Sequence, residues 1–204
     1  QELEPRLAAV NSKIRHVYGY DVGRLIDLSV LWVRSEEENL DASTPLIIEM
    51  SRLPFKVQEN IMRAVEYGLP SFAGAAIDAG GIGASLAEAA RQEWSPELIH
   101  EIKLSESWYS TNFPPLKARF EDKGLIVPPD THIRTDIRQI KVIKGLPKLD
   151  DVRVKTAEGQ RHGDAAIALT LADYALRHAP DIAPWAPAFT APSDTSRLLD
   201  QFNR

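Results

Sequence analysis

VYGYDV (residues 17–22) and IDLSVLWV (26–33) decide the fold class. Both runs are rich in β-branched and aromatic residues, and Gly23-Arg24-Leu25 between them reads as a hairpin turn. PLIIEM (45–50) follows the acidic stretch Glu36-Glu37-Glu38-Asn39 and fits a third antiparallel strand. Pro54 stands where a helix would begin, because its missing N–H costs nothing in a first turn. Phe55, Ile61, Met62 and Val65 give that helix an apolar stripe, and Gly68-Leu69-Pro70 ends it. FAGAAI (72–77) then reads as a buried strand. Asp78-Ala79-Gly80-Gly81 follows, and after it a helix carrying Ile82, Leu86, Ala90 and Trp94.

Downstream, residues 98–104 are expected as a strand and 116–123 as a helix stopped by Gly124. Residues 125–127 read as a short strand ended by Pro128-Pro129, and 130–141 as a helix. Val142-Ile143 is expected to pair with Val152-Arg153-Val154 across a long loop. GDAAIALTLADYAL (163–176) is small and apolar nearly all round, the mark of a buried helix lying flat on a sheet. The order β-β-β-α-β-α-β-α…α predicts an α/β domain. Its sheet is mixed, three antiparallel strands followed by parallel ones, with helices flanking it.

Composition sets the bounds. In 204 residues, 44% are apolar, too many for a disordered chain, and 24 Lys+Arg against 29 Asp+Glu leave a net charge of −5. The absence of cysteine excludes disulfides, thiolate zinc sites and cysteine nucleophiles, and fits a reducing compartment. No apolar run is long enough to span a membrane, and residues 1–16 carry no signal-peptide core. No Gly-x4-Gly-Lys-Ser/Thr occurs, so no nucleotide is bound through a P-loop, and no Gly-x-Ser-x-Gly marks a hydrolase elbow. Gly80-Gly81-Ile82-Gly83 is a partial dinucleotide fingerprint, with Leu86 where the third glycine would stand.

Three acids stand out. Asp21 interrupts an apolar strand, where both propensity and burial disfavour it. Asp78 ends the apolar run 72–77, and ligands of open α/β sheets collect at such carboxyl ends. If those two strands pair in parallel, the two carboxylates lie side by side and need a shared proton or a cation, for which Mg²⁺ is the common choice. Asp164 opens the small-residue helix just after His162; its bland reading is a cap or a partner of the helix dipole. Residues 134–155 hold seven basic side chains against three acidic ones. Such a stretch is either a solvated face or a footprint for phosphates.

Three antiparallel strands, then α-β-α-β, with an Asp inside the first strand and another ending the fourth, resemble the RNase H-like arrangement. More specifically, Gly19-Tyr20-Asp21-Val22-Gly23 with Asp27-Leu28-Ser29, Ile77-Asp78-Ala79-Gly80-Gly81-Ile82-Gly83, and His162-Gly163-Asp164-Ala165-Ala166-Ile167-Ala168-Leu169 resemble the nuclease domain of phage terminase large subunits. Within that family the likeness is to the DNA-packaging subunit of Mu-like phages and prophages. The resemblance implies that Asp21, Asp78 and Asp164 form a metal-binding triad for two Mg²⁺ or Mn²⁺ ions, with His162 a further candidate ligand. It implies an auxiliary hairpin over 142–154 near the DNA path, and Arg138, Lys141, Lys144, Lys148 and Arg153 are the candidate DNA contacts. It divides the chain into a linker (1–16) from a preceding ATPase domain, the nuclease domain (17–178) and a Pro-rich tail (179–204). The implied partners are double-stranded DNA, that ATPase domain, the small terminase subunit and the capsid portal, in the host cytoplasm and transiently at the portal. Two rival readings stay open: a non-catalytic module that docks DNA or the portal, and an RNase H-like resolvase or transposase.

Overall fold

In the computed structural model, residues 3–23, 28–37, 41–149, 154–155 and 160–180 are described. The apolar runs become a five-stranded sheet. β1 (His16–Asp21) pairs antiparallel with β2 (Ser29–Glu36), Gly19 opposite Trp32 and Asp21 opposite Val30. The turn expected at 23–25 falls mostly outside the described residues. β3 (Ala42–Met50) pairs antiparallel with the far side of β2. α2 (Phe55–Gly68) then crosses over, and β4 (Phe72–Asp78) lies parallel to β1 with Tyr20 beside Ile77. α3 (Gly83–Glu93) and β5 (Ile99–Ile102) repeat the parallel crossover. The strand order β3-β2-β1-β4-β5 gives the mixed, helix-flanked α/β sheet that the sequence predicts.

Both faces of the sheet are covered, which is why its central strands read as near-continuous apolar runs. Tyr18, Tyr20, Leu31 and Ile77 face Met62 and Val65 of α2 and Leu86 and Ala90 of α3. The tyrosine hydroxyls are satisfied inside this layer: Tyr18 donates to Glu66 Oε1 (2.5 Å) and Tyr20 to Gln58 Oε1 (2.8 Å). The alternate residues Val17, Val30, Trp32 and Ala76 face α6 (Asp164–His178) through Ala165, Ala168, Leu169 and Ala172. Contact is closest at Gly19, where a Cβ would stand 2.1 Å from the Ala168 carbonyl oxygen and 2.2 Å from the Ala172 nitrogen. Only glycine admits that approach.

The other end of α6 is held by charge. Asp173 and Arg34 are both fully buried, with Nη1 to Oδ1 at 2.7 Å, and Arg119 and Arg177 also reach the same carboxylate. Burial lowers the Arg34 pKa to about 10, against the opposing pull of Asp173.

Several local expectations need correction. The hairpin is tight: β6 (Ile140–Ile143) pairs with β7 (Leu146–Leu149), so Val142 meets Pro147 and not residues 152–154. The two-residue turn is Lys144-Gly145, with φ of 53° and 81°, the left-handed pair that such a turn requires. Val154–Lys155 (β8) pairs instead with Gln160–Arg161 (β9). α5 (Thr131–Ile137) is shorter than expected, since Asp130 caps its start and Arg138 closes it, which places Lys141 on a strand. α4 (Glu106–Glu121) begins well before Leu116 and runs through Pro114 and Pro115, anchored by a Ser105 cap and by buried Phe113 and Leu116. Residues 125–127 form no strand, and only Leu125 makes a bridge, to Ala42. Within the stretch 1–16, α1 (Leu3–Ala8) packs Leu7 against Gly68 of α2. Residues 181–204 of the expected tail lie outside the described residues. Among the described residues no helix is long and apolar enough to cross a membrane.

Two predictions arise from this packing. Gly19→Ala forces α6 away from β1, so chemical denaturation should show a loss of about 1–3 kcal/mol, the range for overpacking a tight core. The second concerns Glu66, whose carboxyl burial pushes up to about 7. A carboxyl that holds its proton longer in the folded state loses stability as pH rises from its ordinary 4.5 through 7. Unfolding free energies of wild type and Glu66→Gln should therefore diverge over that window, the wild type losing on the order of 3 kcal/mol relative to the variant.

Candidate active site

Each acid is placed by a different element. β1 and β4 run in parallel with Tyr20 beside Ile77, so their last residues, Asp21 and Asp78, are neighbours at the carboxyl end of the sheet. Strand alternation puts Asp21 on the same face as Gly19, the face that α6 covers. Asp164 lies one helical turn before Ala168, which touches Gly19. That turn rises ~6 Å, and the two strand residues from Gly19 to Asp21 span ~7 Å, toward the same end. The close approach at Gly19 therefore brings Asp164 to the same end of the sheet as Asp21 and Asp78.

The three carboxylates line one cleft of about 290 Å³, together with His162, Tyr109 and Leu149. Each of the acids predicted from sequence is there. Asp78 Oδ1 accepts the Gly80 N–H at 2.9 Å, and burial raises its pKa more than this bond lowers it. Asp164 is 6% exposed, and its Oδ2 accepts the His162 N–H at 2.9 Å. Among the described residues no group of three or more His, Asp or Glu side chains is drawn together closely enough to hold a metal ion. The acids share a cleft, with Asp78 and Asp164 each bonded to a local turn.

Tyr109 is a cleft residue that sequence reasoning missed. It comes from the first turn of α4, its ring stacked on Phe113 at 5.0 Å and edge-on to Trp108 at 5.6 Å. Its phenol pKa is pushed up by burial first, then by the negative charges of Asp21 and Asp78. The available signal was Ser105 ahead of Glu106, a helix start upstream of the proline pair that otherwise reads as the boundary.

The basic hairpin stands beside this cleft, since Leu149 at the end of β7 is part of the lining. Arg138, Lys141 and Lys144 are exposed. Lys148 is directly across from Lys141 and is ion-paired with Glu106. Arg153 lies outside the described residues.

No protein-family model matches the chain. Two curated proteins do. The Mu-like prophage FluMu protein gp28 of Haemophilus influenzae is 37% identical over 171 residues, covering 84% of this chain and 34% of that protein. The probable terminase large subunit gp28 of Escherichia phage Mu is 37% identical over 174 residues, covering 84% of this chain and 32% of that one. The chain thus spans about a third of the length of these relatives. Among solved structures, the large terminase nuclease of the thermophilic phage G20c, determined with bound magnesium, superposes with a TM-score of 0.57 at 20% identity, covering 79% of this chain and 82% of that one. The HK97 bacteriophage large terminase gives 0.57 at 13% identity, covering 80% of this chain and 40% of that one. The fold is therefore the RNase H-like fold of large-terminase nuclease domains, and by sequence the chain belongs to the family of Mu-like phage terminase large subunits.

Proposed function

We propose that this terminase nuclease module is a metal-dependent endonuclease. On this reading it cuts concatemeric double-stranded DNA, with Asp21, Asp78 and Asp164 holding two divalent cations, Mg²⁺ or Mn²⁺. The observation that carries the reading is the convergence of carboxylates from β1, β4 and α6 on one cleft. The donor set fits the cation: carboxylate oxygens are hard ligands, and Mg²⁺ needs few from the protein because it keeps waters and takes phosphate oxygens. Asp78 is desolvated at this spot, a cost that a neighbouring cation would offset. His162 lines the same cleft and is a further candidate ligand. The magnesium bound in the G20c nuclease supports the same choice of metal.

Bound there, the cations would activate a water for attack on phosphorus and neutralise the leaving 3′ oxygen. The protein's own groups do the rest. Tyr109 keeps its phenolic proton and can donate a hydrogen bond to a phosphate oxygen without adding negative charge to an already acidic cleft. Arg138, Lys141 and Lys144 supply phosphate contacts beside the cleft, Lys148 shares its charge with Glu106, and Arg153 would extend the set. Such contacts hold a duplex in place without reading its sequence. In the packaging motor the module would work with the ATPase domain, the small subunit and the capsid portal, in the host cytoplasm and at the portal.

Plasmid should be nicked in Mn²⁺ or Mg²⁺, spared in EDTA, and spared by Asp21→Asn. Cleavage that persists in EDTA rejects the mechanism. Absence of cleavage in either metal, with DNA binding retained, favours the docking module instead. Thermal melts give an independent check. Wild type should gain melting temperature with Mn²⁺, through cation binding to the native state. Asp78→Asn should lose that gain yet melt no lower than wild type in EDTA, since the amide oxygen still accepts the Gly80 N–H and the buried charge is gone. A structural cap would instead cost about 0.5–2 kcal/mol on substitution, with or without metal.

A further inference from the structure

The first turn of α6 carries Asp164, but its N-cap is Gly163 (φ 76°), which has no side chain to receive the unbonded N–H groups of a helix start. The Ala166 and Ile167 N–H groups turn back onto the Gly163 carbonyl at 2.9 and 3.0 Å. The Ala165 N–H does not. It donates to Asp136 Oδ2 at 3.2 Å, reaching across to α5. Asp136 is fully buried at this helix start.

A second side chain meets the same turn. Gln139 is 7% exposed, and neither its Oε1 nor its Nε2 has a hydrogen-bond partner among the described residues. Its Oε1 lies 3.4 Å from where a Cβ on Gly163 would stand. One short segment thus sets Asp136 on the Ala165 N–H and Gln139 against Gly163, on either side of Asp164, whose carboxylate accepts the His162 N–H.

We propose that Asp136 is a positioning residue for the third acid. By capping α6 from α5 it fixes the turn 162–164, and so fixes where the Asp164 carboxylate stands in the cleft, with Gln139 packed over the same turn. Asp136 acts through the Ala165 N–H and is not among the residues lining the cleft. The proposal rests on the reading that Asp164 holds a divalent cation.

The test uses the full chain as wild type, Asp136→Ala and Asp136→Asn, with two readouts: the Mn²⁺ concentration for half-maximal plasmid nicking, and the rise in melting temperature that Mn²⁺ produces. Asp136→Ala should need ~10-fold or more Mn²⁺ and lose most of the melting gain, the scale on which groups that orient metal ligands act. Asp136→Asn keeps an acceptor oxygen for Ala165 and should stay within ~3-fold of wild type. Wild-type behaviour of Asp136→Ala in both readouts overturns the proposal. So does an Asp136→Asn variant shifted ~10-fold or more, because the charge and not the cap would then be what matters. Where Asp136→Ala gives no cooperative melt, Asp136→Asn alone decides by the same criterion. Failure of the underlying reading looks different: wild type itself then gains nothing from Mn²⁺ in either measurement.

Discussion

The arrangement depends on backbone meeting backbone at Gly19. α6 lies so close to β1 that one added carbon would stand 2.1 Å from the Ala168 carbonyl oxygen. The helix can settle there because its sheet-facing side is built from Ala165, Ala168 and Ala172. At its other end the buried Arg34–Asp173 pair, joined by Arg119 and Arg177, holds its rotation. A buried ion pair adds little net stability against an apolar alternative, but leaving one of its charges unpaired is costly, so it favours one docking of the helix over its neighbours. Rotation and height together determine where the first residue of α6 stands. That residue is Asp164.

The cleft at the end of the sheet is where like charges accumulate. In the layer under α2 the buried hydroxyls are answered one by one, Tyr18 by Glu66 and Tyr20 by Gln58. At the carboxyl ends of β1 and β4 the chain gathers Asp21, Asp78 and Asp164, with Asp78 desolvated and the Tyr109 phenol pKa pushed up by burial and then by the charges of Asp21 and Asp78. Converging like charges disfavour the fold locally. A sequence that keeps them there departs from stability at the one place where chemistry is proposed.

α5 links the two sides of this site. Its Asp136 caps α6, and Arg138 at its end leads directly into β6, the first strand of the basic hairpin. Leu149 at the far end of that hairpin returns to the cleft wall. The segment that would touch phosphates and the turn that carries Asp164 therefore share one support.

Patterning over a few residues was enough to read the strands, the crossover helices, the buried character of α6 and the acids Asp21, Asp78 and Asp164. These rest on alternation, stripe and burial cost, all local properties of the chain. The parallel pairing that sets Asp21 beside Asp78 was a condition that only the sheet register could meet. The hairpin was misread because Lys144-Gly145 is a weak turn signal until both residues are seen at positive φ. α4 was cut short because a proline pair marks a helix boundary unless tertiary burial of Phe113 and Leu116 overrides it, and Tyr109 was lost with it. Sequence alone determined which residues are costly to bury and which elements carry them. The tertiary structure decided which of them meet, because contacts such as Gly19 with Ala168, or Asp136 with Ala165, join distant parts of the chain and leave no periodic trace in either.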